Sequence, residues 1–225
     1  MDQMNNESDK IPCTWADDSD CIDCSLNESL NCRYDDSLVV CFRERHIPYR
    51  ALGFAVVFVA SYLSGQWWMF IAFTIVTLMN FLFLETWYLC RHCPFYAKEG
   101  KSLDCITLKG IPRPWKYNST PLTRSDKILM GIIGGFIDAF PIIAGGIGIW
   151  ILILLGSDII PLLILIALTV VMLIAAVYLG KFIGNNYCMK CVNLSCPMNK
   201  VPQDIAEAYL QRNPAMKHAF ENANS

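Results

Sequence analysis

The strongest constraint on this chain is where it carries no positive charge. No Lys or Arg occurs from residue 51 to residue 90, nor from 128 to 180. Both stretches are strongly apolar, and each is long enough for two crossings of a bilayer, since one helical crossing takes about 20 residues. Turn chemistry divides each: "SGQWW" at 64–68, with tryptophans suited to the interface, and "GSD" followed by Pro161. The expected spans are 47–64, 68–89, 128–155 and 159–183. The fold class this implies is an all-α integral membrane protein, its four transmembrane helices forming two hairpins.

The remaining segments are polar and rich in cysteine. The chain reads as an acidic N-terminal arm (1–46), a first hairpin (47–89), a basic central loop (90–127), a second hairpin (128–183) and a C-terminal tail (184–225). In the loop, Pro112, Pro114 and Pro121 exclude a continuous helix, while Trp115 and Tyr117 suit the headgroup layer. Thr123 or Ser125 can cap the third span, and Pro161 fits the first turn of the fourth. In the tail, "VPQDIAEAYLQRNPAMKHAF" predicts short amphipathic helices broken at Pro214. No apolar run lies near Met1, so no cleavable signal peptide is expected.

Four spans put both termini on one side of the membrane, together with all 18 Lys and Arg. Arg43, Arg45, Arg50, Arg91, Arg124, Lys127 and Lys181 lie close to span ends. The positive-inside rule makes that side cytoplasmic, in a multi-pass protein of the cell membrane. The opposite loops are short and had little room for charge. A net charge of −2 points to no nucleic-acid partner, and the lipid bilayer is the partner the composition demands.

The halves also resemble one another. Each has a basic lead-in, two spans joined by a tiny turn, an aromatic-flanked C-x-x-C and a later third cysteine. This predicts an internal parallel repeat with its pseudo-axis along the membrane normal. The alternative is that two hairpins and two thiol turns arose separately.

All eleven cysteines lie outside the apolar runs, in three groups: Cys13, Cys21, Cys24, Cys32 and Cys41; Cys90, Cys93 and Cys105; Cys188, Cys191 and Cys196. Cytoplasmic thiols stay reduced in most organisms, which favours metal ligation over disulfides. Both sulfurs of a C-x-x-C turn reach one ion, and two such turns complete a tetrahedral four-thiolate site. The expected centre joins Cys90 and Cys93 to Cys188 and Cys191, with Cys105 and Cys196 as further ligands. Zinc and an iron–sulfur cluster are the candidate cofactors, with thiol redox chemistry or transient metal carriage as a third reading. The run "CMKCVNLSCP" differs from the ferredoxin pattern in spacing and lacks a fourth nearby cysteine.

The arm offers a second candidate site, Cys21, Cys24, Cys32 and Cys41, with Cys13 spare. A bound metal would stand in for a core that few large apolar residues can build. The alternative is an acidic arm with incidental thiols. "DDSD" has no EF-hand spacing after it, so calcium is set aside. His92, between two cysteines, is either a ligand or simply exposed. Sequons at Asn6, Asn27, Asn118 and Asn193 are idle on the cytoplasmic side.

Polar groups inside spans are costly and therefore informative. Asp138 lies about ten residues into span three beside Pro141, with Asn80 of span two as its expected partner. Glu85 and Tyr178 lie at matching depths nearer the cytoplasmic exits. Together they are either a proton or cation path toward the thiols, or polar contacts holding the helices together.

These features predict a membrane metalloprotein serving electron transfer, or an accessory subunit of a membrane redox complex. The alternatives are a transporter of soft metal ions using the thiols and Asp138, and an adaptor shaped by zinc. No hydrolase triad, phosphate-binding Gly loop or metalloprotease motif is present, so a conventional enzyme is not expected. The topology has a direct check. A membrane-impermeant thiol reagent should leave all cysteines unlabelled in intact cells and label the metal-free protein in inverted vesicles; labelling of Cys21 or Cys105 in intact cells would overturn it.

Overall fold

The computed structural model describes residues 12–15, 21, 23–98 and 100–224. The chain is mostly helical, and four of its helices are long and apolar enough to cross a membrane: Asp36–Ser64, Trp68–His92, Arg124–Leu154 and Ile159–Lys190. By length and composition these four helices could span a membrane. In order, the regular elements are α1 (Asp36–Ser64), α2 (Trp68–Met79) continued as a π-helix (Asn80–Leu89), β1 (Ser102–Asp104), β2 (Lys109–Pro112), α3 (Arg124–Leu154), α4 (Ile159–Asn186), α5 (Gln203–Gln211) and α6 (Pro214–Asn224).

The chain divides into two compact units. One comprises Cys41–Phe83 and Gly131–Phe182, all helix and tight turn. Its core includes Val57, Ala60, Phe73, Ile137, Ala144 and Leu165. Aromatic rings fill the space between α1 and α2: Phe54 lies against Phe70 and Phe73, and Phe58 against Phe70 and Trp67. Phe73 of α2 stacks on Phe140 of α3, with centroids 5.3 Å apart. Gly65 and Gly156 turn the chain at positive φ, 71° and 62°, which is why glycine serves there.

Small residues set the helix spacing. A Cβ on Gly53 would lie 3.2 Å from Pro141 Cγ, and one on Gly148 would lie 3.1 Å from Ala60 Cβ and 2.9 Å from Leu165 Cδ2. The pairs Arg50–Asp138, Gly53–Pro141 and Ala60–Gly148 are separated by the same number of positions along the chain. This is the pattern of α1 and α3 running side by side in one direction. Outward, the unit is apolar. The most apolar window, in α4, is only 11% buried, and Ile160, Leu163 and Ile174 are exposed. Lipid is the solvent that such a surface fits.

The other unit comprises Met1–Val40, Leu84–Met130 and Ile183–Ser225. It holds the short elements, including one feature outside the all-α expectation. In the central loop β1 and β2 pair antiparallel, with Leu103 opposite Ile111. The tail helices α5 and α6 break at Pro214 as the sequence predicts.

Three local features were decided by backbone bonding and caps. Helix α1 starts at Asp36, well before residue 47, because Asp35 Oδ1 accepts a bond from the Ser37 N–H at 2.7 Å and caps the first turn. Apolar content marks the membrane-crossing part of a helix, not its beginning. Of the two caps offered for α3, Thr123 is used: its Oγ1 accepts from the Asp126 N–H at 3.2 Å and donates to the Asp126 carboxylate at 2.7 Å. The second span, expected as uniform helix to residue 89, widens at Asn80, where each backbone bond spans one more residue than in an α-helix.

The glycine contacts are testable. In Gly145→Ala the new Cβ would meet Thr169, with Cγ2 at 2.9 Å and Cβ at 3.2 Å, whereas nothing lies within 4 Å at Gly146. Gly145→Ala should cost about 1–3 kcal/mol in detergent unfolding, while Gly146→Ala should be neutral.

Candidate metal centres

The largest gathering of sulfur is built from three turns. The π-helix ends in a tight turn, Cys90–His92, in which the Cys93 N–H bonds Cys90 O at 3.0 Å; Pro94 then starts the next turn, with Tyr96 N–H on Cys93 O at 2.8 Å. After α4 a matching turn, Cys188–Lys190, leads to Cys191 in extended conformation. The chain then folds back: Cys196 N–H bonds Asn193 O at 3.1 Å and Lys200 N–H bonds Cys188 O at 3.0 Å. The third turn joins β1 to β2. Cys105 N–H bonds Leu108 O at 2.8 Å, and the Leu108 N–H points back to Cys105 Sγ at 3.3 Å.

Backbone N–H groups aimed at sulfur recur. Cys93 receives one from Phe95, Cys191 from Asn193, Cys196 from Met198 and Asn199, and Cys105 from Thr107 and Leu108. Such donors stabilise a thiolate, the form that ligates metal. The sulfurs are also near one another. Cys93 is in electrostatic range of Cys191, Cys105 and Cys90; Cys191 of Cys196, Cys188 and Cys105; and Cys90 of Glu85, Cys105 and Cys196. All six cysteines of the expected centre therefore share one neighbourhood, with Glu85 at its side.

Burial is the largest influence on these thiols. It pushes Cys191 up to about 12 and Cys196 to about 11, and raises Cys93 and Cys105, against the opposing pull of the backbone donors. Burial thus favours the protonated thiols, so a cation binding here would compete with protons and bind more tightly as pH rises. Among the described residues, no group of three or more His, Cys, Asp or Glu side chains is already arranged to hold a metal ion.

Two asparagines join the segments of this region: Asn193, which the sequence offers only as an idle sequon, and Asn199. Asn193 Nδ2 bonds Leu89 O at 3.1 Å, joining the tail to the residue before Cys90, and Asn199 Nδ2 bonds Cys191 O at 2.8 Å and Asn193 O at 3.0 Å. Trp115, expected at the headgroups, packs edge-on to Trp87 and donates to Thr86 Oγ1 at 3.1 Å. Tyr117 is half-buried in electrostatic range of Cys93. Arg113 lies over the Tyr96 ring and bonds the carbonyls of Tyr96, Lys98 and Gly100. Side-chain contacts between distant segments, invisible to spacing rules, mark these residues.

His92 has both ring nitrogens occupied: Nδ1 bonds Thr120 O at 2.6 Å and Nε2 accepts from Arg91 at 3.1 Å. It is neither exposed nor free to ligate. In the arm, Cys21, Cys24 and Cys32 line one pocket, and Cys13, read as spare, lines it with them. Cys41 belongs to α1, where its Sγ accepts from Arg45 Nη1 at 3.0 Å. The "DDSD" run and Asn6 lie outside the described residues.

The intramembrane groups pair differently from expectation. Asp138 bonds Arg50 of α1 at 3.0 Å, with Tyr49 Oη at 3.5 Å, rather than Asn80. Asn80 Oδ1 is buried without a partner among the described residues. By position Arg50 is a flanking charge, but the early start of α1 and its register with α3 carry it to Asp138. Tyr178 hydrogen-bonds Arg45, and the Arg45 guanidinium lies over the Phe182 ring at 4.4 Å.

No family model, curated protein or solved structure matches this chain.

The Arg50–Asp138 pair should behave as a packing contact. Arg50→Ala and Asp138→Ala should each destabilise the protein in detergent. The double variant should lose less than their sum, with a coupling of roughly 0.5–1 kcal/mol for a partly exposed pair; strict additivity would dissolve the pair.

Proposed function

We propose that this protein is a four-helix metalloprotein of the cell membrane, with both termini and a cysteine-ligated centre on the cytoplasmic side, serving electron transfer within a membrane redox complex. The observation that carries the reading is the meeting of Cys93 and Cys191, from C-x-x-C turns 98 positions apart in the sequence, in one compact unit with Cys105 and Cys196. Those four are the sulfurs that receive backbone N–H groups, and four thiolates with such donors suit either tetrahedral zinc or an iron–sulfur cluster. Cys90 and Cys188 are the further thiols beside them. An iron–sulfur cluster supplies one-electron chemistry; zinc would make the centre structural. The chain's own contribution is to fix the sulfurs on short turns, exclude water and shield the charge with amide dipoles.

The hairpin arrangement is supported by the aromatic contacts of α1 with α2 and by Gly145 and Gly148 of α3 facing Thr169 and Leu165 of α4. The metal-transport alternative is weakened by Asp138, whose charge is already answered by Arg50.

Protein purified without oxygen in mild detergent should contain metal. Cys93→Ser and Cys191→Ser should each remove the same equivalent, and the double variant should lose no more than either. Brown protein with broad visible absorption supports electron transfer. Colourless protein holding zinc would end that role, and the absence of metal from wild type would end the metalloprotein reading.

A further inference from the structure

We propose that Cys13, Cys21, Cys24 and Cys32 form a second, independent site for one thiophilic divalent cation, and that this site fastens the N-terminal arm to the C-terminal helices. The four thiols line a pocket of about 220 Å³ together with Arg212. Cys32 is in electrostatic range of the other three. The turn that carries two of them repeats the geometry at Cys90 and Cys93: Cys24 N–H bonds Cys21 O at 3.2 Å, as Cys93 N–H bonds Cys90 O at 3.0 Å. One tight turn thus presents two sulfurs to the pocket, and Cys13 and Cys32 arrive from either side in sequence.

Charge and hydrogen bonding fit a metal thiolate. Arg33 donates to Cys21 Sγ from Nε at 3.3 Å and from Nη2 at 3.1 Å, and Asn213 Nδ2 reaches Cys13 Sγ at 3.4 Å. A dication with four thiolates carries two net negative charges, and Arg33 and Arg212 bring two positive ones. The pocket is roomier than an ion needs, so the turns would close inward around Zn–S bonds of about 2.3 Å.

The scaffold explains why a site here matters. Cys13 N–H bonds Asn213 Oδ1 at 2.7 Å, Thr14 Oγ1 meets Tyr209 Oη at 3.0 Å, and Arg33 reaches Thr14 O at 3.2 Å. Asn213 and Tyr209 belong to the tail, at the junction of α5 and α6 and on α5 itself. Leu26 and Leu30 are the buried leucines of the arm, too little apolar material to hold it alone. A metal bound by the four thiols would lock the arm against the tail, coupling the two ends of the chain.

The test uses the full chain in detergent, purified without oxygen and loaded with zinc, with metal per protein measured by mass spectrometry. Cys13→Ser and Cys24→Ser should each lose one equivalent, Cys41→Ser should lose none, and limited proteolysis should release the arm in the first two only. The same equivalent should persist in Cys93→Ser/Cys191→Ser, so failure of the other centre would not remove this one. Should Cys13→Ser fail to fold, Cys32→Ser is the second ligand variant, and cobalt(II) added to metal-free wild type should give thiolate-to-metal absorption that Cys41→Ser retains. Full zinc content in Cys13→Ser, loss in Cys41→Ser, or disulfides among these four cysteines in the oxygen-free protein would overturn the proposal.

Discussion

Sulfur held out of water governs the cysteine-rich unit of this protein. A protonated thiol accepts burial readily, because it behaves as a small apolar group with a weak donor. A thiolate does not, unless a cation or a set of N–H groups answers its charge. Cys93, Cys105, Cys191 and Cys196 are desolvated and also face backbone amides, so their surroundings suit either state: neutral when empty, anionic when a metal supplies the charge. Turns this short hold each amide close to its own sulfur.

The local backbone departs from α geometry next to these thiols. Over Asn80–Leu89 the helix is wide, and this segment carries Glu85 beside the thiols and Thr86 under Trp115. Such departures from α geometry recur at functional sites because they re-aim side chains that a regular helix would present elsewhere. The tail then reads the end of this segment through Asn193, whose amide bonds Leu89 O while its backbone serves Cys191. One residue thereby couples the two C-x-x-C turns.

The helical unit obeys a different rule. In lipid, apolar burial gives little force between helices, so close approach of small residues and satisfied polar groups decide packing. Gly53, Gly145 and Gly148 permit that approach, and Arg50 with Asp138 supplies a polar contact. Leaving a carboxylate without a partner at that depth would be costly. The pairing gives Asp138 a charged partner within the bundle.

Much of this was readable in the chain itself. Charge-free runs locate the crossing helices because lipid forbids charge, and glycines with Pro161 mark the turns because few residues adopt those backbone angles. Matched C-x-x-C turns single out Cys90, Cys93, Cys188 and Cys191 because two sulfurs of one tight turn reach a common point. Other features needed the third dimension. The start of α1 depended on a cap at Asp35, the partner of Asp138 on the register of α1 against α3, and the membership of the arm pocket on which cysteine a tail helix would hold. Cys13 and Cys41 look alike as letters; Asn213 binds the first, and α1 claims the second. Composition and spacing report the solvent and the local turn. Partner choice is made by packing between distant segments, and no local pattern encodes it.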